Sequence, residues 1–317
     1  MPGIVGSYIF SITSYNVRYH LQGKSSKVLG SETKPLRNSG RTIQKLNGNR
    51  SARHLPVDIA IHCGDLTGLS TLEEIRTALE QLKEINEPLK LVVPGSHDWT
   101  MDVPTFRENL GRVSHRVDEN SVQKEYGEYG EAVELFKGVK DHGIRFLLEG
   151  EYGFQLDNGA RLTVFASAYT PKNFDTTGFH YPPGQREFDI SADVDVVVTH
   201  GPPYGILDFP SPVGKGCPGL MRAIVTIDPE TSQVLESIST LTRNEFDTSY
   251  VAQAKASKRR ELESQGYDAG AERPLRPGQT LFVNAAIEGS GNEEFKKQLP
   301  WVVEIDLPLD VPVRPIP

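Results

Sequence analysis

Only two cysteines, Cys63 and Cys217, stand in the 317 residues of the chain. That is too few for a disulfide framework and fits a reducing compartment, so a cytoplasmic location is expected. No apolar stretch approaches the ~20 residues that a membrane-spanning helix needs, and no membrane partner is expected. Positive charge is also scarce: 34 Lys and Arg against 42 Asp and Glu leave a net charge of -8. Nucleic-acid binders carry a basic face, so a nucleic-acid partner is not expected either. The same deficit bears on any phosphate chemistry. The cations must then be local, and bound metal is the simplest source. Two further gaps are positional: no aspartate precedes Asp58, and no histidine follows His200.

What is present is organised around residues 57–98. Val57 to Thr67 and Leu89 to Asp98 are each a short apolar run that stops at glycine and then offers polar side chains. Short apolar runs bounded by turn residues predict buried parallel strands. Between them Leu72, Ile75, Leu79, Leu82 and Ile85 recur at helical steps, with Thr71 and Glu74 as a start signal and Pro88 as a stop. A third apolar run, Val194 to Val198, leads to Thr199-His200-Gly201-Pro202-Pro203. In open α/β sheets ligands bind beyond the carboxyl ends of strands, so Asp65, His97 and His200 are predicted to face one crevice.

The rest of the chain is read more coarsely. Residues 1–54 hold a single acidic residue, Glu32, and are expected to be a loose extension with one strand, Ile4 to Ile12. A domain is expected over 55–308 and a loose tail over 309–317. Residues 100–142 are predicted helical, with Ala132, Leu135, Phe136 and Val139 as one stripe and Gly143 as the stop. Strands are expected at 144–148, 153–156 and 161–168, with a hairpin at Asp157-Asn158-Gly159. A segment at 225–278 is irregular: a short helix near 234–241, a solvated helix over 245–264 and a linker to 278. Closing strands are expected over 280–287 and 301–307.

A Gly-Asp pair is often only a turn, and a single histidine is often a satisfied core or surface residue. Three such turns at the ends of strands in one sheet favour a site. A carboxylate and imidazoles converging there suit a divalent transition metal. His62, one residue inside its strand, is read as structural.

Cys63-Gly64-Asp65, Gly95-Ser96-His97-Asp98 and Thr199-His200-Gly201-Pro202-Pro203-Tyr204-Gly205 together resemble the middle motifs of the calcineurin-like metallophosphoesterases. They are similar to the small branch with a Thr-His-Gly-Pro-Pro-x-Gly loop. Gly216-Cys217, Leu220 and Leu281 to Ala286 follow in the order of that branch. The resemblance implies a four-layer αββα sandwich, two mixed β-sheets flanked by helices. It implies hydrolysis of a phosphomonoester or phosphodiester at a site of divalent ions, manganese, iron or zinc, normally two. Carried over by motif, Asp65 bridges the metals and His200 ligates one of them. His97 protonates the leaving group and Asp98 orients His97. Ser96 stands where the family has a ligating asparagine, and its hydroxyl is a weaker metal donor.

The resemblance has two gaps. The family's opening Asp-x-His and closing Gly-His-x-His motifs are absent, as the missing aspartates and histidines dictate. Two readings follow: a phosphoesterase whose ligand set is completed by other residues, His20, His180, Asp208, Glu32 or Asp228, and a catalytically silent member that binds a small anion or a partner. The loss of whole motifs beside intact neighbours also fits a sequence altered or truncated at those two places.

Overall fold

A computed structural model describes residues 8–11, 26–30, 43–45, 58–113, 118–171, 177–205, 216–227, 248–264, 281–284, 301–305 and 307. Strands β1 (Tyr8–Ser11), β2 (Ser26–Gly30) and β3 (Ile43–Lys45) come first. The organising unit follows as β4 (Ile59–His62), α1 (Leu72–Lys83) and β5 (Leu89–Val92). Helices α2 (Val103–Val113), α3 (Glu119–Tyr126) and α4 (Glu131–Lys137) lead to β6 (Ile144–Phe146), β7 (Gly150–Gln155) and β8 (Arg161–Ser167). Two short strands, β9 (Thr170–Pro171) and β10 (His180–Tyr181), pair with each other. The remaining elements are β11 (Val196–Thr199), α5 (Pro218–Ile227), α6 (Ser249–Ser264), β12 (Leu281–Asn284) and β13 (Trp301–Ile305).

The long strands form two mixed sheets. A five-stranded sheet runs β12-β1-β11-β8-β7, and a six-stranded sheet runs β3-β13-β2-β4-β5-β6. Alternation along β8 and β11 shows how the layers stack. Leu162, Val164, Ala166, Val196 and Val198 share one core with Ile59, Ile61 and Leu91 of the other sheet and with Ile75, Leu79 and Leu82 of α1. The opposite face, Phe165 and Val197, packs with Phe282 and with Leu220 and Ile224 of α5. Helices thus cover both sheets, in the α/β sandwich that the sequence predicted.

Local chemistry explains the elements that frame the crevice. Thr71 caps α1 by accepting from Glu74 N at 3.2 Å, and the Glu74 carboxylate accepts from Thr71 N at 3.1 Å, a complete capping box. A cap contributes roughly 1 kcal/mol. Burying each of Ile75, Leu79 and Leu82 contributes roughly 1.5–3 kcal/mol, so packing rather than capping holds this helix. The hairpin tip falls where expected, with Leu156 N donating to the Ala160 carbonyl at 2.9 Å and Gly159 in the left-handed region.

Residues 1–54 correct the expectation. They contain β2 and β3 as well as β1, and these strands are paired into the two sheets. β2 runs antiparallel to β4, with Val28 opposite Ile59 and Ser26 opposite Ile61. Its carboxyl end, Gly30, therefore lies at the far end of the sheet from the crevice. β1 runs parallel to β11 and β12, so Ser11 comes level with Thr199 and Asn284. The helix expected at 234–241, the linker to 278 and the tail lie outside the described residues.

Candidate metal centre and crevice

The three predicted turns meet, but not in the single sheet expected: β4 and β5 end in the six-stranded sheet and β11 ends in the five-stranded one, so the crevice lies where the carboxyl ends of the two sheets come together. Glycine makes the approach possible. A Cβ on Gly64 would lie 2.6 Å from His200 Nδ1 and 2.7 Å from the Gly95 Cα, and one on Gly95 would collide with Asp65 and lie 2.7 Å from His200 Cε1. Gly64 also holds φ +107, and Asp65 follows at φ +54, a strained value for a residue with a side chain.

Asp65 Oδ1 is the hub. It accepts from His97 N at 2.9 Å and from Ser96 Oγ at 3.4 Å, and lies 3.4 Å from His200 Nε2. Ser96 Oγ is also 3.4 Å from His200 Nε2, so carboxylate, hydroxyl and imidazole form a triangle. The side chains of His200 and Asp65 are 5% and 8% exposed. His200 Nδ1 lies 2.9 Å from the Cys63 carbonyl, an acceptor that demands N–H at that nitrogen. In the neutral ring the Nε2 lone pair then faces the Asp65 carboxylate. Two acceptors in that position repel each other unless a cation, proton or metal, lies between them. Anchoring the distal imidazole N–H on a backbone carbonyl is the arrangement that metal-ligating histidines use.

The triangle fits one divalent ion, with two strong donors and one weak one. A pair of ions about 3.5–4 Å apart needs more donors. Among the described residues there is no group of three or more His, Cys, Asp or Glu side chains placed to hold a metal. Cys63 adds nothing, because burial pushes its thiol up to about 12. His180, another histidine that could have filled in, is engaged through both ring nitrogens by Thr170 and Thr177. His20, Glu32, Asp208 and Asp228 lie outside the described residues.

His97 is half-buried, and its Nδ1 lies 3.1 Å from the Gly68 carbonyl, an acceptor that fixes N–H at Nδ1 and leaves Nε2 as the other ring nitrogen. Its expected partner is placed differently. Asp98, fully buried, accepts from Gly95 N, Leu66 N, Thr67 N and Thr67 Oγ1 at 2.7–3.1 Å. It binds the Asp65 turn to the Gly95 turn, and it positions His97 only through that shared backbone. Burial and the nearby Asp65 push the Asp98 carboxyl above its ordinary range, while its donors pull the other way. His62 is buried as expected. Its Nδ1 accepts from Gly64 N at 3.3 Å, and burial lowers its pKa to about 4.

One wall of the crevice was not legible in the sequence. Residues 177–181 cross the Gly95 turn, with Gly178 N donating to the Ser96 carbonyl at 2.8 Å. Phe179 N donates to Asp102 Oδ2 at 2.7 Å, and Phe179 holds φ +54. A Cβ on Gly178 would lie 2.7 Å from the Trp99 Cα, so glycine is what admits this strap. Only the hydroxyl of Ser96 is left for the site, since its carbonyl is held by the strap.

The class defined by this fold and crevice is matched by the family model for calcineurin-like phosphoesterases, over residues 36–219. The match covers more than half of the chain, and the chain belongs to that family. It is 27% identical over 176 residues to the human metallophosphoesterase domain-containing protein 1, covering 53% of this chain and 49% of that protein. The protein of the same name in Mus musculus matches equally. The chain is also 28% identical over 212 residues to the probable rhamnogalacturonate lyase C of Emericella nidulans, covering 66% of this chain and 18% of that protein. The chain therefore spans between 18% and 49% of the length of these relatives. The family gives a general phosphoesterase-type function and usually uses divalent metals. No helix among the described residues is long and apolar enough to cross a membrane.

Proposed function

We infer that this chain is a phosphoesterase domain acting on a phosphomonoester or phosphodiester with a single divalent ion. The supporting observation is the triangle of Asp65 Oδ1, Ser96 Oγ and His200 Nε2 with sides of 3.4 Å at the strand ends. Asp65 and His200 hold the ion and Ser96 is its weak third donor. When bound, such an ion supplies positive charge to the phosphate oxygens and lowers the pKa of water. His97 keeps its Nδ1 proton on the Gly68 carbonyl and presents Nε2 to the ester. In the imidazolium form it donates that proton to the departing alkoxide. Asp98 holds the two turns in register so that Asp65 and His97 keep their spacing. The ion also answers the net charge of -8, which by itself repels phosphate.

A second reading rests on the missing aspartates before Asp58 and histidines after His200. In it the crevice binds a small anionic ligand or partner without turnover. Hydrolysis of a chromogenic phosphodiester with added manganese separates the two. Hydrolysis that rises with manganese and disappears in His97→Ala supports the first, with manganese still bound by that variant. Asp65→Asn should lose both metal and turnover. Tight phosphate binding with no hydrolysis by the unmodified chain would favour the second, and equal loss of metal in both variants would contradict the separate roles.

A further inference from the structure

Asp65 and His200 follow strands of different sheets, so the 3.4 Å between them depends on what ties one sheet to the other at this end. One tie is direct, His200 Nδ1 on the Cys63 carbonyl. Another is the strap of residues 177–181. On one side Gly178 N donates to the Ser96 carbonyl at 2.8 Å. On the other, Thr170 N donates to the Phe179 carbonyl at 2.9 Å. Thr170 in turn packs on the residue after His200, since a Cβ on Gly201 would lie 2.6 Å from Thr170 Cγ2. The strap thus reaches from one ligand segment to the other.

The strap meets the metal centre at the peptide between Ser96 and His97. The carbonyl of that peptide accepts from Gly178 N, and its N–H, that of His97, donates to Asp65 Oδ1 at 2.9 Å. A peptide unit is planar and stiff, so its two ends cannot turn independently. Holding the carbonyl on the strap therefore aims the N–H at Asp65. It also fixes the backbone from which Ser96 Oγ lies 3.4 Å from both Asp65 Oδ1 and His200 Nε2.

The strap needs an anchor of its own. Phe179 sits at φ +54, and a residue with a side chain keeps that conformation only where its surroundings over-determine it. Its ring is buried, edge-on to Tyr169 at 5.7 Å, and its N–H donates to Asp102 Oδ2 at 2.7 Å. Asp102 is a buried carboxylate at the head of α2, and Thr105 Oγ1 donates to the same oxygen at 2.7 Å. One oxygen therefore joins the helix to the strap.

We propose that Asp102 is a positioning residue of the metal centre: by holding the strap it keeps the Ser96–His97 peptide on Asp65 and so sets the affinity for the ion. The proposal rests on the one-ion reading of the crevice. Groups that orient metal ligands from behind change metal affinity roughly 10–100-fold, and Asp102, acting through backbone, belongs at the lower end.

The test compares the unmodified full chain with Asp102→Ser, Asp102→Asn and Thr105→Val. Serine can still cap α2 but is too short to hold Phe179 N. Asparagine keeps an oxygen for it. Thr105→Val removes the helix-side bond and leaves the strap bond. Asp102→Thr, also a helix cap and bulkier, stands in if Asp102→Ser does not fold. In calorimetric titration with manganese, Asp102→Ser should bind about tenfold more weakly and Asp102→Asn should recover most of that loss. Thr105→Val should bind like the unmodified chain while unfolding at a lower temperature. Hydrogen exchange on metal-free protein reads the same link without an ion: the His97 amide should exchange about tenfold faster in Asp102→Ser and at the unmodified rate in Thr105→Val. Unchanged affinity or unchanged exchange in a folded Asp102→Ser would overturn the positioning role and leave the one-ion reading standing. An equal loss of affinity in Thr105→Val would do the same, because the helix start would then be what matters. No manganese on the unmodified chain would sink the one-ion reading itself, and the positioning role with it.

Discussion

Asp98 and His62 carry the residue-level lesson. The family resemblance assigned Asp98 to the His97 ring, yet its carboxylate takes Gly95 N, Leu66 N, Thr67 N and Thr67 Oγ1 instead. Sequence order placed the two residues side by side and could not say which donors the carboxylate would find, because three of them come from a turn some thirty residues earlier. His62 yields a prediction on pH. Its folded pKa is lowered from 6.5 to about 4, first by desolvation, with Asp65 opposing and His200 adding. The unfolded chain therefore binds the proton more readily. Stability from this group is present above pH 6.5 and is lost as pH falls toward 4. The full loss is about 3 kcal/mol, from 1.36 kcal/mol per pH unit. Urea unfolding of metal-free protein at pH 7 and near pH 4 checks this: the unmodified chain should lose about that much more stability than His62→Gln. Parallel losses in the two proteins would remove His62 from the account.

The elements that could be read in advance are those whose pattern is local. β4, β5 and β11 announce themselves as apolar runs closed by turn residues, and α1 by its stripe and its Thr71–Glu74 signal. β2 and β3 do not, because Ser26–Gly30 and Ile43–Lys45 are short and their pairing with β4 and β13 is decided across the fold. The strap over Ser96 is equally invisible, being a set of backbone bonds between distant segments. Glu74 shows how an element can serve the crevice. Its carboxylate takes Thr71 N for the helix and Gly68 N and Leu69 N for the turn whose carbonyl holds His97. Thr71→Ala should therefore cost roughly 1 kcal/mol of stability and leave turnover nearly unchanged. Glu74→Ala should cost at least as much and also lower kcat, because the Gly68 turn loses its anchor. Thermal unfolding and steady-state kinetics on both variants decide this. Equal kinetic effects would mean that the helix start alone is what matters.

Across the whole molecule, two sheets that share one core fix three strand ends against each other, and two glycines let the turns close to bonding distance. The layers and the crevice were legible because they follow from apolar runs and motif order. The full donor set was not, because it depends on which side chains reach the crevice from distant segments. The central claim is that Asp65, Ser96 and His200 hold one divalent ion there. The most direct test is the metal content of the purified chain, by elemental mass spectrometry after dialysis against manganese and then a weak chelator. One equivalent in the unmodified chain and none in folded Asp65→Asn is the predicted result. No metal on a folded, unmodified chain, or two equivalents, would contradict it.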